Sequence, residues 1–141
     1  MTWIAWALLS AVFAGITAVL AKVGVANVNS HLATAIRTTV ILFITWGIAF
    51  AATPAGQFVM PGRRTLLFLG LSGAATGLSW LCYFRALQLG EASRVAPIDK
   101  LSVVVVIILA GVFLGERLTW QQAVGGALIV AGSLVIAWPP S

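Results

Sequence analysis

Five long stretches of this chain carry no charged side chain: Met1 to Ala21, Thr38 to Gly62, Thr65 to Phe84, Leu101 to Gly115 and Leu118 to Ser141. A helix needs about 20 apolar residues to cross about 30 Å of hydrocarbon. Three of the five stretches pass easily and Thr65–Phe84 just fits. The fourth reaches full length only by starting near Val95. Lipid offers no water to backbone N–H and C=O groups, so a spanning segment must be a helix or part of a closed barrel. A barrel would show short alternating segments instead of long apolar runs. The expected fold is therefore an all-α, polytopic membrane protein with helices over residues 3–22, 33–53, 65–85, 95–115 and 119–138.

Composition closes the other routes. Hydrophobic residues make up 61% of the 141 and charged residues 8%, against about 25% charged in soluble domains. That leaves too little polar surface for a soluble protein. Cys82 is the sole cysteine, so no internal disulfide framework is open to the chain. The net charge of +5 is scattered and lacks an aromatic–basic motif, so no nucleic-acid partner is expected. The first span lacks a preceding Lys or Arg and is too long for a signal-peptide core, so it is expected to remain as a membrane helix. Residues 1–141 then form a single membrane domain with no repeat inside it.

Polar and turn-forming residues gather at the connections between helices: Asn27 to Ser30, Pro54 to Gln57, Pro61 to Arg64, Gly90 to Arg94, and Gly115 to Arg117. Glu116 and Arg117 read as a solvated pair. Trp120 and Trp138 are 18 positions apart, about 27 Å along a helix, and suit the two interfaces of the last span. Trp3 and Trp6 suit the start of the first. One face would hold Arg63, Arg64 and Arg117, the other Lys22, Arg37, Arg85, Arg94 and Lys100. Setting aside Arg37, Arg85 and Lys100, which lie at or inside helix ends, leaves almost no orientation bias. Either a boundary is misplaced, or the chain inserts both ways and pairs head to tail.

Small residues recur every four positions in the first span, as Ala7, Ala11, Gly15 and as Ser10, Ala14, Ala18. Such rows let helices approach closely, here within one subunit. Gly73 and Gly77 in the third span, and Gly125, Gly126 and Gly132 in the fifth, suit packing either within a subunit or between subunits.

Chemistry must come from the few polar groups at membrane depth, where a charge costs about 2.5–3.5 kcal/mol on the insertion scale. Pro97, Asp99 and Lys100 enter the fourth span together. Adjacent helix positions do not face each other, so Asp99 needs another partner, with Lys22, Arg37, Arg85 and Lys100 as the available cations. The group reads either as a polar site or proton relay, or as an ion pair pinning the helix near the interface. Arg37, four or five residues into the second span, would snorkel to the surface or face a cavity and bind an anion. Lys22 and Arg85 read as interfacial anchors. Trp46, Trp80 and Tyr83 are aromatics for a substrate path or for packing. Gly73, Gly77, Trp80 and Phe84 share one stripe. His31 falls in a loop. The substrate or coupling candidates are thus Asp99, Lys100, Arg37, Trp80 and Tyr83.

Enzyme signatures are missing: no HExxH, no Walker A loop and no GxSxG. No metal, cofactor or catalytic residue is expected.

Two segments carry a resemblance. Ala86 through Ser102 reads Ala-Leu-Gln-Leu-Gly-Glu-Ala-Ser-Arg-Val-Ala-Pro-Ile-Asp-Lys-Leu-Ser, and Phe113 through Thr119 reads Phe-Leu-Gly-Glu-Arg-Leu-Thr. With Gly125 through Gly132, and with Lys22 and Ala35 to Thr38 nearer the start, they resemble the EamA unit of the drug/metabolite transporter superfamily along the whole chain. The resemblance implies one five-helix repeat where typical members have two inverted repeats, in the manner of a small bacterial and archaeal branch. It also implies an antiparallel homodimer with a central cavity and alternating access. The superfamily's four-helix exporters use a glutamate in their first helix. None is present here, which leaves Asp99 as the coupling candidate. The expected function is secondary transport or export of small metabolites or drugs in the cell (inner) membrane. The alternatives are an accessory subunit held by helix packing, or a lipid-flipping subunit whose basic helix ends meet lipid phosphates.

Overall fold

The computed structural model describes residues 2–138. Residues 1 and 139–141, part of the expected single domain 1–141, lie outside the described residues. Among the described residues the chain is helical with no strand: α1 (Trp3–Gly24), α2 (Ser30–Ala52), a short 3-10 turn (Ala55–Gln57), α3 (Arg63–Leu89), α4 (Ala92–Asp99), α5 (Ser102–Leu109) running into a π-helical turn (Ala110–Leu114), and α6 (Trp120–Ala137). Five helical segments are long and apolar enough to cross a membrane, α4 through the π turn counting as one, Ala92–Leu114. The protein is a multi-pass membrane protein. Its apolar side chains stand open: Phe43, Val112, Phe113 and Val135 are each more than 70% exposed. That is tolerable only against lipid or another membrane-embedded surface.

Several boundaries differ from the sequence expectation. α2 starts three residues early because Asn29 caps it, its Oδ1 accepting from the His31 N–H at 2.9 Å. His31, expected in a loop, is therefore in the first turn of α2. α3 runs past both expected ends: it takes in Arg63 and Arg64 and leaves Arg85, expected at its end, four residues inside. The fourth span, expected to be continuous, is interrupted at Lys100–Leu101. Pro97 has no N–H to give the carbonyl four residues back. Beyond it the backbone tightens into i→i−3 bonds: Lys100 to Pro97, Leu101 to Ile98, Val103 to Lys100 and Val104 to Leu101, all 3.0–3.1 Å.

The described backbone forms two compact units, residues 23–88 and the remainder. In the remainder, α6 lies antiparallel along the broken span. A Cβ placed on Gly126 would sit 3.5 Å from Ile107 and 3.9 Å from Val104 of α5. Seven residues on, buried Ser133 donates to the Pro97 carbonyl at 2.9 Å. Gly126 and Ser133 are two turns apart on one face, so α6 packs on α5 with a glycine and anchors the end of α4 with a hydroxyl.

The hairpin between the last two spans explains the Gly-Glu-Arg-Leu-Thr segment. Gly115 takes φ +68°, the only positive φ among the described residues, and the N–H groups of Gly115 and Glu116 both close on the Ala110 carbonyl. Thr119 then opens α6 with a capping box: its Oγ1 accepts from the Gln122 N–H, and the Gln122 side chain accepts from the Thr119 N–H at 2.9 Å. Glu116 and Arg117, expected as a pair, are exposed and make no ion pair among the described residues. Gly115→Ala is expected to cost about 1–2 kcal/mol, because an L side chain resists the left-handed region. Thermal unfolding of the purified protein in detergent checks this.

Candidate functional site

α2 and α3 build one candidate site, within residues 23–88. The earlier start of α2 makes Arg37 its eighth residue, about 10 Å along the axis instead of four or five residues in. At that depth the guanidinium does not simply reach for water. It lies over the Trp80 ring, 4.2 Å from the centroid, with the Phe84 ring at 5.4 Å. The Tyr83 phenol is within electrostatic reach. Trp80 and Phe84 belong to the stripe read from the sequence, and the stripe turns toward α2: Phe84 is 3% exposed and Trp80 is half-buried. A cation on an indole face gains about 0.5–2 kcal/mol, more as water is removed. A double-mutant cycle of Arg37→Gln and Trp80→Leu is expected to give about 1 kcal/mol of coupling in thermal unfolding. Zero coupling would return Arg37 to a surface-seeking role.

Beside this contact a groove of about 720 Å³ runs between the two helices. Thr34, Thr38 and Leu42 of α2 form one wall, and Ala74, Gly77 and Leu81 of α3 the other. The Thr34 and Thr38 hydroxyls donate back to the Ser30 and Thr34 carbonyls, each at 2.8 Å. The wall is thus polar in kind yet internally satisfied, as lipid demands. Trp46 stands elsewhere: it stacks on Phe50 at 5.5 Å, and Phe50 on Phe58 at 5.3 Å.

A separate candidate site, in the other unit, is the break in the fourth span. Asp99 is the last residue of α4 and Lys100 caps it. The two meet, Lys100 Nζ to Asp99 Oδ2 at 3.4 Å, with side chains 55% and 37% exposed for Lys100 and Asp99. This corrects the expectation that neighbours cannot face each other. The helix ends between them, so the 100° rule no longer holds, and the long lysine folds back. A pair this open contributes little to stability. Lys22 is not a free interfacial anchor: its Nζ donates to the Gly90 carbonyl at 2.8 Å. Glu91 is paired with Arg94 at 3.2 Å.

The small residues divide. Gly126 packs within the subunit, whereas a Cβ on Gly73, Gly77, Gly125 or Gly132 would meet nothing within 4 Å. In α1, Ala18 is buried, but Ala7, Ala11, Gly15, Ser10 and Ala14 are exposed. Intrasubunit burial is therefore seen at Ala18 and not at the other five positions.

Sequence reasoning missed Gln88, which donates from Nε2 to the Val25 and Val28 carbonyls at 3.2 and 2.7 Å and accepts from Arg85 at 3.1 Å. The signal was the three-residue spacing of Arg85 and Gln88 on one helix face. It also missed Ser133, whose partner is a backbone carbonyl 36 positions away.

The model of the EamA-like transporter family matches residues 1–138. The chain belongs to that family. It is 56% identical over 139 residues to a Sinorhizobium sp protein named "Uncharacterized transporter in cobO 3'region", covering 96% of each chain. It is 39% identical over 94 residues to the "Probable terminal-alkyne amino-acid exporter" of Streptantibioticus cattleyicolor, covering 64% of this chain and 30% of the exporter. It is 40% identical over 85 residues to the "Probable 4-amino-4-deoxy-L-arabinose-phosphoundecaprenol flippase subunit ArnF" of Erwinia tasmaniensis, covering 59% of this chain and 64% of the subunit. The matched stretch is thus less than two thirds of either of these last two proteins. No solved structure matches this chain.

Proposed function

We propose that this EamA-family protein is a secondary transporter that exports small metabolites or drugs, working in the inner membrane as an antiparallel homodimer with alternating access. The observation that carries the reading is the match of residues 1–138 to a transporter family, reinforced by a transporter relative that is similar along 96% of its length. On this reading the chain is not an enzyme and needs no cofactor. The α2–α3 groove, with Arg37 on Trp80 beside it, supplies substrate contacts. Asp99, at the break in the fourth span, is the coupling group; a broken helix is the usual place for such a site in transporters. Pairing with an inverted second copy supplies the second five-helix half and explains the weak orientation bias.

The test is gradient-driven efflux from proteoliposomes. The purified protein is reconstituted with a mixed pool of amino acids and amphipathic amines inside, a pH gradient is imposed, and efflux is read by mass spectrometry. At least one solute is expected to leave faster than from empty vesicles. No solute moving, with folded and inserted protein, would sink the reading.

A second reading has its own support. The similarity to ArnF, and the basic, acid-free stretch 23–88, favour a lipid-flipping or accessory subunit that works with a different chain. Cysteines placed at opposite membrane faces discriminate the two. Crosslinks between unlike faces of two copies support the antiparallel homodimer; crosslinks only between like faces exclude it.

A further inference from the structure

Residues 23–88 hold four arginines and one histidine but no aspartate or glutamate. The carboxylates of the chain, Glu91, Asp99 and Glu116, all lie outside this stretch, and the first two are engaged by Arg94 and Lys100. Arg85 thus has no carboxylate in its own unit. One of its five N–H donors goes to Gln88 Oε1 at 3.1 Å. Gln88 is itself fixed by its two bonds to the Val25 and Val28 carbonyls, so it acts as a bracket that orients the guanidinium and leaves most of its fork open.

That fork lines a polar cavity of about 540 Å³ with Asn29, Ser30, His31 and Gln88. Asn29 spends its oxygen on the cap of α2, which leaves its amide N–H groups as donors. The cavity is basic and donor-rich, and it lies at the end of the α2–α3 pair. His31 lines both this cavity and the α2–α3 groove. From His31 to Leu42 the groove follows α2 for about 17 Å, roughly half the hydrocarbon thickness. A charged mouth therefore opens into a mostly apolar trench.

We propose that this is a binding site for an anionic lipid, with the phosphate on Arg85 and one tail lying in the groove past Thr38 and Gly77. An arginine fork is the geometry that phosphate oxygens take. A soluble anion would use the mouth and leave the trench empty, whereas an anionic lipid fills both. The tail takes the groove that the transport reading gives to substrate, so the inference rests instead on the lipid-subunit reading and is tested by binding alone.

The test is native mass spectrometry of the full chain in detergent. It is titrated with phosphatidylglycerol, with phosphatidylcholine of the same tails, and with inorganic phosphate. Phosphatidylglycerol is expected to bind about tenfold or more tighter than phosphatidylcholine, and Arg85→Gln to remove that preference. Arg63→Gln, at the other end of α3, is expected to leave it unchanged. Gly77→Leu tests the trench independently, because a Cβ there meets no atom within 4 Å and the helix is free to fold. This variant is expected to weaken lipid binding severalfold. Equal lipid binding by Arg85→Gln and the unaltered chain would overturn the proposal. So would an equal loss in Arg63→Gln, full binding in Gly77→Leu, or displacement of the lipid by equimolar inorganic phosphate.

Discussion

Asp99→Asn is expected to abolish coupled export while leaving the protein folded and inserted. Asp99 is the one acid within a membrane segment away from its ends: Glu91 precedes the fourth span and Glu116 follows it. It sits about 10 Å along α4, where the backbone changes from i→i−4 to i→i−3 bonding. A charge at membrane depth costs about 2.5–3.5 kcal/mol on the insertion scale. A bound proton or cation relieves that cost, and an amide offers nothing to neutralise. Affinity for the coupling ion should therefore fall about a hundredfold, and gradient-driven efflux from proteoliposomes should fall with it. The Asp99–Lys100 contact supplies the control. Lys100→Met breaks the same 3.4 Å pair but keeps the acid. Efflux lost in Asp99→Asn and retained in Lys100→Met assigns coupling to the carboxylate. An equal loss of thermal stability in both variants, with export intact in each, would reduce the pair to an anchor for α4.

The membrane helices were legible because lipid permits so few alternatives. Once Met1 to Ala21 or Thr38 to Gly62 lacks charge, a helix is the only open way to satisfy the backbone, so the spans fell within a few residues of their observed positions. The misjudged start of α2 was set by a single hydrogen bond. Asn29 reads equally well as a loop residue until its oxygen is seen on the His31 N–H. The break in the fourth span was not expected: it falls at Lys100–Leu101, three residues past Pro97, because the tightened bonds accumulate after the proline instead of at it. The site was half legible. Arg37, Trp80, Tyr83, Asp99 and Lys100 stand out as polar or amphipathic groups in apolar runs. Which of Arg37, Trp80 and Tyr83 meet depends on how α2 and α3 face each other, and that information is spread over every contact between them. So the Arg37–Trp80 stack was invisible, and Lys100 was one of four cations open to Asp99 until the structure paired the two.

Gly126→Leu is expected to destabilise the folded chain by about 1–3 kcal/mol, the usual cost of forcing bulk into a filled contact. Gly126→Ala is expected to be nearly neutral, since its Cβ would rest 3.5 Å from Ile107 in ordinary contact. Unfolding monitored by tryptophan fluorescence in detergent separates the two. The comparison gains its force from Gly132, six residues along the same helix. A Cβ there meets nothing within 4 Å, so Gly132→Leu has no reason to unfold the subunit. Small residues left open on a membrane helix are suited to another helix, and in the proposed homodimer that helix belongs to the second copy. Gly132→Leu should then keep the unfolding midpoint and shift the particle from dimer to monomer in size-exclusion light scattering. If it leaves a dimer intact, the open face of α6 meets only lipid, and the contact between copies must be sought on the exposed Ala7, Ala11 and Gly15 row of α1.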